Sequence, residues 1–203
     1  MDETSLSLLN RIRRSPDSEN WDRLAQLYSP LIRSWLRNYE VRASDADDLL
    51  QEVLMAVAKD LEEFDHNGRT GAFRAWLKAI LINRLRNFWR ARDRRPQAAG
   101  ESSVEQKLAE LEDPNSELSL VWNREHDEYV LQQLLAMVRP HFAANTWTAF
   151  HRVALEGERP RDVASDLNLS LNAVVVAKSR VLSRLRQEAD GLVASTSSFF
   201  PER

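Results

Sequence analysis

The sequence predicts an all-α chain built from two small helical modules, and three observations carry that prediction. Glycine and proline are scarce, five and seven in 203 residues, which favours helices over turn-rich β architecture. Apolar residues recur at spacings of three and four along most of the chain, the period of an amphipathic helix. No stretch shows the period-two alternation of a half-buried strand.

The elements follow in order. Asp22 to Tyr39 places Leu24, Leu27, Tyr28, Leu31, Ile32 and Trp35 on one helical stripe. Ser44 is an N-cap candidate for a helix beginning at Asp45, with acids in its first turn where the macrodipole favours them. Its buried stripe is Leu49, Leu50, Val53, Leu54, Val57 and Leu61. Asp65 to Gly71 is a loop by composition. A long helix is expected from Ala72 to Asp93, roughly 33 Å at 1.5 Å per residue, with Phe73, Leu77, Ile80 and Leu81 as core and Trp76 and Trp89 partly exposed. Residues 97–119 read as an acidic flexible linker broken at Asp113-Pro114-Asn115. The second module is expected over residues 120–193. It holds helices at Tyr129 to Val138, Asn145 to Leu155, Pro160 to Leu167 and Ser170 to Glu188. The first module then spans 1–96, and 194–203 is a frayed tail containing Phe199 and Phe200. On this reading the two modules move independently.

Composition excludes several classes. A hydrophobic content of 43% is enough for real cores. With no cysteine, disulfide frameworks, thiolate metal sites and cysteine nucleophiles are ruled out. No apolar run approaches the roughly 18 residues of a membrane span, and the acidic N-terminus is unlike a signal peptide. The expected address is the cytoplasm. An enzyme is the least favoured class: there is no H-E-x-x-H, no phosphate loop and no nucleophile elbow. Glu63-Phe-Asp-His66 has the E-x-x-H spacing of carboxylate di-iron bundles but lacks the second copy they need. His126, His141 and His151 read as surface or packing residues. No cofactor or metal is expected.

The net charge of −3 hides a segregation. Residues 40 to 65 hold nine acids and two bases, and residues 101 to 128 hold the same balance. Between them, Arg84-Leu-Arg-Asn-Phe-Trp-Arg-Ala-Arg-Asp-Arg-Arg95 carries six arginines against one aspartate. Arginine forks fix phosphates and aromatic faces stack on exposed bases, so Phe88 and Trp89 among the arginines point toward nucleic acid with unpaired bases. Patches of this size imply different surfaces for different partners.

A second signal lies near the C-terminus. Pro160 suits a first helical turn, Asn168 can take a left-handed turn conformation, and Ser170 can cap the next helix. That helix carries Lys178, Arg180, Arg184 and Arg186 against Glu188 alone. The pattern is that of a helix-turn-helix whose second helix enters the major groove; an ordinary αα-hairpin is the bland alternative.

Taken together and in order, Asp47-Asp48-Leu-Leu-Gln51-Glu52-Val, Phe73-Arg-Ala-Trp-Leu-Lys-Ala-Ile, the Arg-rich helix end, the linker and the C-terminal helix-turn-helix resemble a bacterial RNA polymerase sigma factor of the sigma-70 family. The small two-module size is similar to the extracytoplasmic-function group. The resemblance covers about residues 20 to 96 and 128 to 188. It implies a first module that binds core RNA polymerase through Asp48, Gln51 and Glu52 and opens the −10 promoter element through Asn67, Trp76, Asn83, Arg86 and Arg90. It implies a second module that reads the −35 element as duplex promoter DNA, with Asn172, Ala173, Val176, Ser179, Arg180 and Arg184 toward DNA. An anti-sigma protein is a further partner it admits. The chain departs from the family pattern at Val175, Val176 and Ala177, where many relatives are polar or basic, and at Ile82. The rival reading is a helix-turn-helix regulator acting without polymerase. It shares the C-terminal module but leaves the acidic helix and the Phe-Trp-Arg stretch unexplained.

Overall fold

The computed structural model of the chain describes residues 8–14, 18–64, 71–93 and 101–193. Among them every regular element is helical: α1 (Leu8–Arg14), α2 (Ser18–Asn38), α3 (Ala43–Asp60), α4 (Ala72–Asp93), α5 (Glu101–Glu112), α6 (Glu117–Val138), α7 (Ala144–Ala154), α8 (Pro160–Asp166) and α9 (Leu171–Ala189), with a short 3-10 turn at Arg139–His141. The all-α prediction holds. No helix among the described residues is long and apolar enough to cross a membrane.

Helices α2, α3 and α4 pack as a bundle, and the stripes read from the sequence face inward: Leu24, Ile32, Trp35, Leu49, Val53, Phe73, Leu77 and Leu81 are all buried. Ile80 is only half-buried, at the edge of this core. α4 packs against α3 and α5 together, so its burial reaches beyond one stripe and includes Ile82 and Leu85. α3 begins earlier than Ser44 predicts. Its N-cap is Arg42, with no side-chain cap, and the first-turn acid Asp45 instead pairs with Arg92 at 2.6 Å.

The flexible-linker expectation is corrected over most of its length. Residues 101–112 are helical, and Val104, Leu108 and Leu111, at the four- and three-residue spacing of one helical face, are buried against the first module. Ser116 then caps α6, its hydroxyl accepting from the Ser119 amide at 3.0 Å. A domain boundary at 119/120 therefore falls inside α6.

That helix joins the two halves. Its N-terminal turns dock on α2 and α4: the Trp122 ring stacks on Trp35 with centroids 4.1 Å apart, and Lys78 donates to the Ser119 hydroxyl at 2.5 Å while lying 5.5 Å over Trp122. Its C-terminal half packs on α9, and one continuous apolar core runs from Leu8 in α1 to Val193 beyond α9. A stacked pair of this kind adds about 0.5–1.5 kcal/mol to the area it buries.

Beside the stack lies a buried polar chain. Asp127 accepts from Arg74 and, at 2.8 Å, from Nδ1–H of His126, whose Nε2 lies 3.2 Å from the Tyr28 hydroxyl. Burial drives the His126 pKa below the ordinary 6.5, outweighing the hydrogen bond to Asp127 that favours the cation. The folded state thus takes up a proton less readily than the unfolded chain. Stability supplied by neutral His126 is complete above pH 6.5 and is lost as pH falls below it. The urea midpoint is expected to drop as pH falls below 6.5, and His126→Gln should flatten that slope; an unchanged slope would assign the loss to other groups.

Candidate nucleic-acid interface

Three surfaces carry the residues singled out in the sequence. On α3, Asp48, Gln51 and Glu52 are all exposed on one face, while Leu49, Leu50 and Val53 are buried beneath them. The helix is thus anchored by one side and presents carboxylates and an amide on the other. Arg84 of α4 approaches Glu52 at 3.9 Å, a loose, solvated pair. Arg33 holds the neighbouring Asp47 at 2.9 Å.

On α4 the arginine run is less free than its sequence suggests. Arg86 is clasped by α5: its Nε donates to Glu105 at 3.0 Å, and its two terminal nitrogens engage Glu112, one of them at 2.8 Å. The hydrogen bond to Glu112 pushes the Arg86 pKa up against the opposing effect of burial. Arg92 pairs with Asp45 and covers the rings of Phe88 and Trp89 at 5.3 and 5.9 Å. Asn83 and Arg90 are exposed, and Arg90 has no ion pair among the described residues. Trp76 is half-buried, its ring 4.7 Å from Phe64 and 5.5 Å from Phe73, so one face is committed to packing. Trp89 is half-buried as expected. Asn67, Arg94 and Arg95, and the tail residues Phe199 and Phe200, lie outside the described residues.

The acidic stretches were read as surfaces separate from the basic one. In the fold Asp45, Glu52, Glu105 and Glu112 all meet arginines of α4. Charge patterning along a chain does not reveal which segments become neighbours.

The third surface is built by α7, α8 and α9. Pro160 opens α8, Asn168 sits at φ 53, and the Ser170 hydroxyl accepts from the Ala173 amide at 3.1 Å to cap α9. The Leu169 amide closes on the Ala164 carbonyl at 2.9 Å, and the Asn168 amide on that of Ser165 at 3.3 Å. These bonds satisfy the last carbonyls of α8 and fix the turn. Val163, Ala164, Val174, Ala177 and Ala149 form the small core between the three helices. Arg152 of α7 braces it, reaching Glu158 at 2.7 Å and Asp166 at 2.7 Å. Asn172, Val176, Ser179 and Arg180 are exposed and Ala173 is half-buried. Arg184, expected toward DNA, is half-buried at the margin of this face. It pairs with Glu188 at 2.8 Å, and Glu188 also receives Arg11 of α1 at 2.8 Å, so Arg184 belongs to the α1–α9 contact.

The polar residues that hold α6 in place escaped the sequence reading. Arg74 and Lys78 are four apart on α4; Lys78 donates to the Ser119 side chain and Arg74 to the Asp127 side chain and the Asn123 backbone carbonyl, at matching four-residue steps along α6. That matched period was the available signal, hidden because α6 was not expected to start before the second module.

Compared with known families, residues 24–95 match the one described as Sigma-70 region 2. The matched span takes in most of α2, all of α3 and α4, and both the acidic and the arginine-rich surfaces. No curated protein matches the chain.

Proposed function

We propose that this chain, whose residues 24–95 match the Sigma-70 region 2 family, is a sigma factor of the extracytoplasmic-function group that binds core RNA polymerase and directs promoter recognition and strand opening. The observation that carries the reading is the pairing, in one matched domain, of an exposed acidic face on α3 with an aromatic and arginine-rich face on α4. Asp48, Gln51 and Glu52 supply acceptors and a donor for a basic partner helix, which gives orientation and specificity. Asn83 and Arg90 hold single-stranded −10 DNA, with Arg86 joining them once released from α5. The face of Trp76 turned away from Phe64 and Phe73 offers a stacking surface for an unpaired base. The capped turn from α8 into α9 supports a helix-turn-helix that reads duplex −35 DNA, with Arg180 on a phosphate.

The test is co-elution of the chain with core RNA polymerase on size exclusion, followed by competition with an unrelated sigma factor. Stoichiometric, competed binding is expected. Failure to bind core while duplex DNA is still bound would favour the polymerase-independent regulator.

The clasp on Arg86 makes a separate prediction. Because Glu105 and Glu112 occupy a cation assigned to promoter DNA, α5 and the opened strand compete for it. Glu105→Gln with Glu112→Gln should tighten binding of single-stranded −10 DNA at low salt. It should also steepen the logarithmic salt dependence by about 0.7 unit, the contribution of one more phosphate contact on a single strand. Unchanged affinity and slope would place Arg86 off the DNA path.

A further inference from the structure

The outward face of α9 carries hydrocarbon where it first leaves the cap. Leu171, Val175 and Val176 are 43%, 51% and 44% exposed, within the first two turns after Ser170. They are not needed to close the fold: Val174 and Ala177 of those turns already fill the core at 0% and 6% exposure. One turn further on, the same face becomes polar and basic with Ser179 and Arg180. The acid of α9, Glu188, is buried and engaged by Arg11 and Arg184. The exposed face therefore runs from apolar at its N-terminus to cationic at its middle, with no carboxylate along it.

Resting on the reading that α9 enters the major groove, we propose that Leu171, Val175 and Val176 select thymine through its 5-methyl group, so that the duplex site is thymine-rich opposite the first turns of α9. The thymine methyl is the apolar group that the major-groove edges present; guanine, adenine and cytosine present donors and acceptors there. A valine methyl packed on it removes both from water. The same valine against guanine or cytosine leaves a polar edge desolvated and unpaired, so the patch discriminates by repulsion as well as attraction. Duplex DNA fits this face better than a protein partner because exposed Arg180, one turn on from Val176, adds the cation that a phosphate backbone takes, with no carboxylate beside it. The capped helix N-terminus adds positive potential at the entry point.

The experiment selects duplexes from a random library, using the full chain alone and in complex with core RNA polymerase, and remakes the enriched duplex with deoxyuridine for thymidine. Uracil keeps every donor and acceptor and lacks only the methyl. The enriched site is expected to contain adjacent thymines, and each contacted methyl lost should weaken binding about fourfold, the worth of one buried methyl-sized group. Val176→Ser, an exposed change that leaves the core intact, should weaken the thymine duplex and shrink the thymine–uracil difference. A guanine-anchored site, or equal affinity for both duplexes, overturns the inference while leaving the groove reading intact. Unchanged duplex binding by Val176→Ser also overturns it and turns the patch toward a protein. If neither sample enriches any duplex, the groove reading and the inference fall together.

Discussion

Replacing Asp127 by alanine is expected to cost about 3–5 kcal/mol of folding stability, the usual penalty for stranding a buried partner charge. Arg74 would lose its carboxylate while remaining largely enclosed, and His126 would lose the acceptor at its Nδ1. Burial alone would raise the Asp127 pKa, yet hydrogen bonds from His126 and Arg74 hold it below the ordinary carboxylate value. The measurement is urea denaturation followed by circular dichroism. Because α6 packs on α2 and α4 at one end and on α9 at the other, the loss should appear in a single transition of the whole helical signal. Asp127→Asn, which keeps the shape and one acceptor, should fall between. Two separated transitions, of which the variant moves only one, would return the chain to a pair of independent modules.

Reversing the charge at Glu52 should have the largest functional effect. Glu52→Arg, alone or with Gln51→Ala, is expected to weaken binding to core RNA polymerase by about tenfold or more, because it sets like charge against a basic partner. Both side chains are exposed, so the helical signal should be unchanged. The contact with Arg84 is too loose and too solvated to matter to stability. Undiminished co-elution of a folded Glu52→Arg chain would remove α3 from the polymerase interface.

Much of the fold was legible because it is written in apolar spacing and in caps. The aromatic and aliphatic stripe from Phe73 set the bounds of α4, and Pro160, Asn168 and Ser170 each took the position their chemistry favours. What stayed hidden depends on distance in space. α5 has a buried stripe of Val104, Leu108 and Leu111, but its acids and the Asp113-Pro114 break gave it the composition of a linker. Its helix is held by partners that only the fold supplies, Arg86 among them. The exposed residues of the α3 face and of α9 followed from helical phase alone. The half-burial of Arg184 did not, because Glu188 beside it is also held by Arg11, 177 positions from that glutamate in the chain.

The most direct test of the central claim is promoter-dependent transcription by core RNA polymerase with and without this chain, on fully duplex templates and on templates pre-melted at the −10 element. The account predicts initiation only when the chain is present. Asn83→Ala with Arg90→Ala should fail on duplex templates and be rescued by pre-melting, whereas Arg180→Ala should lose −35-dependent binding on both. Initiation that is indifferent to the chain, or equal failure of both variants on duplex and pre-melted templates, would contradict it.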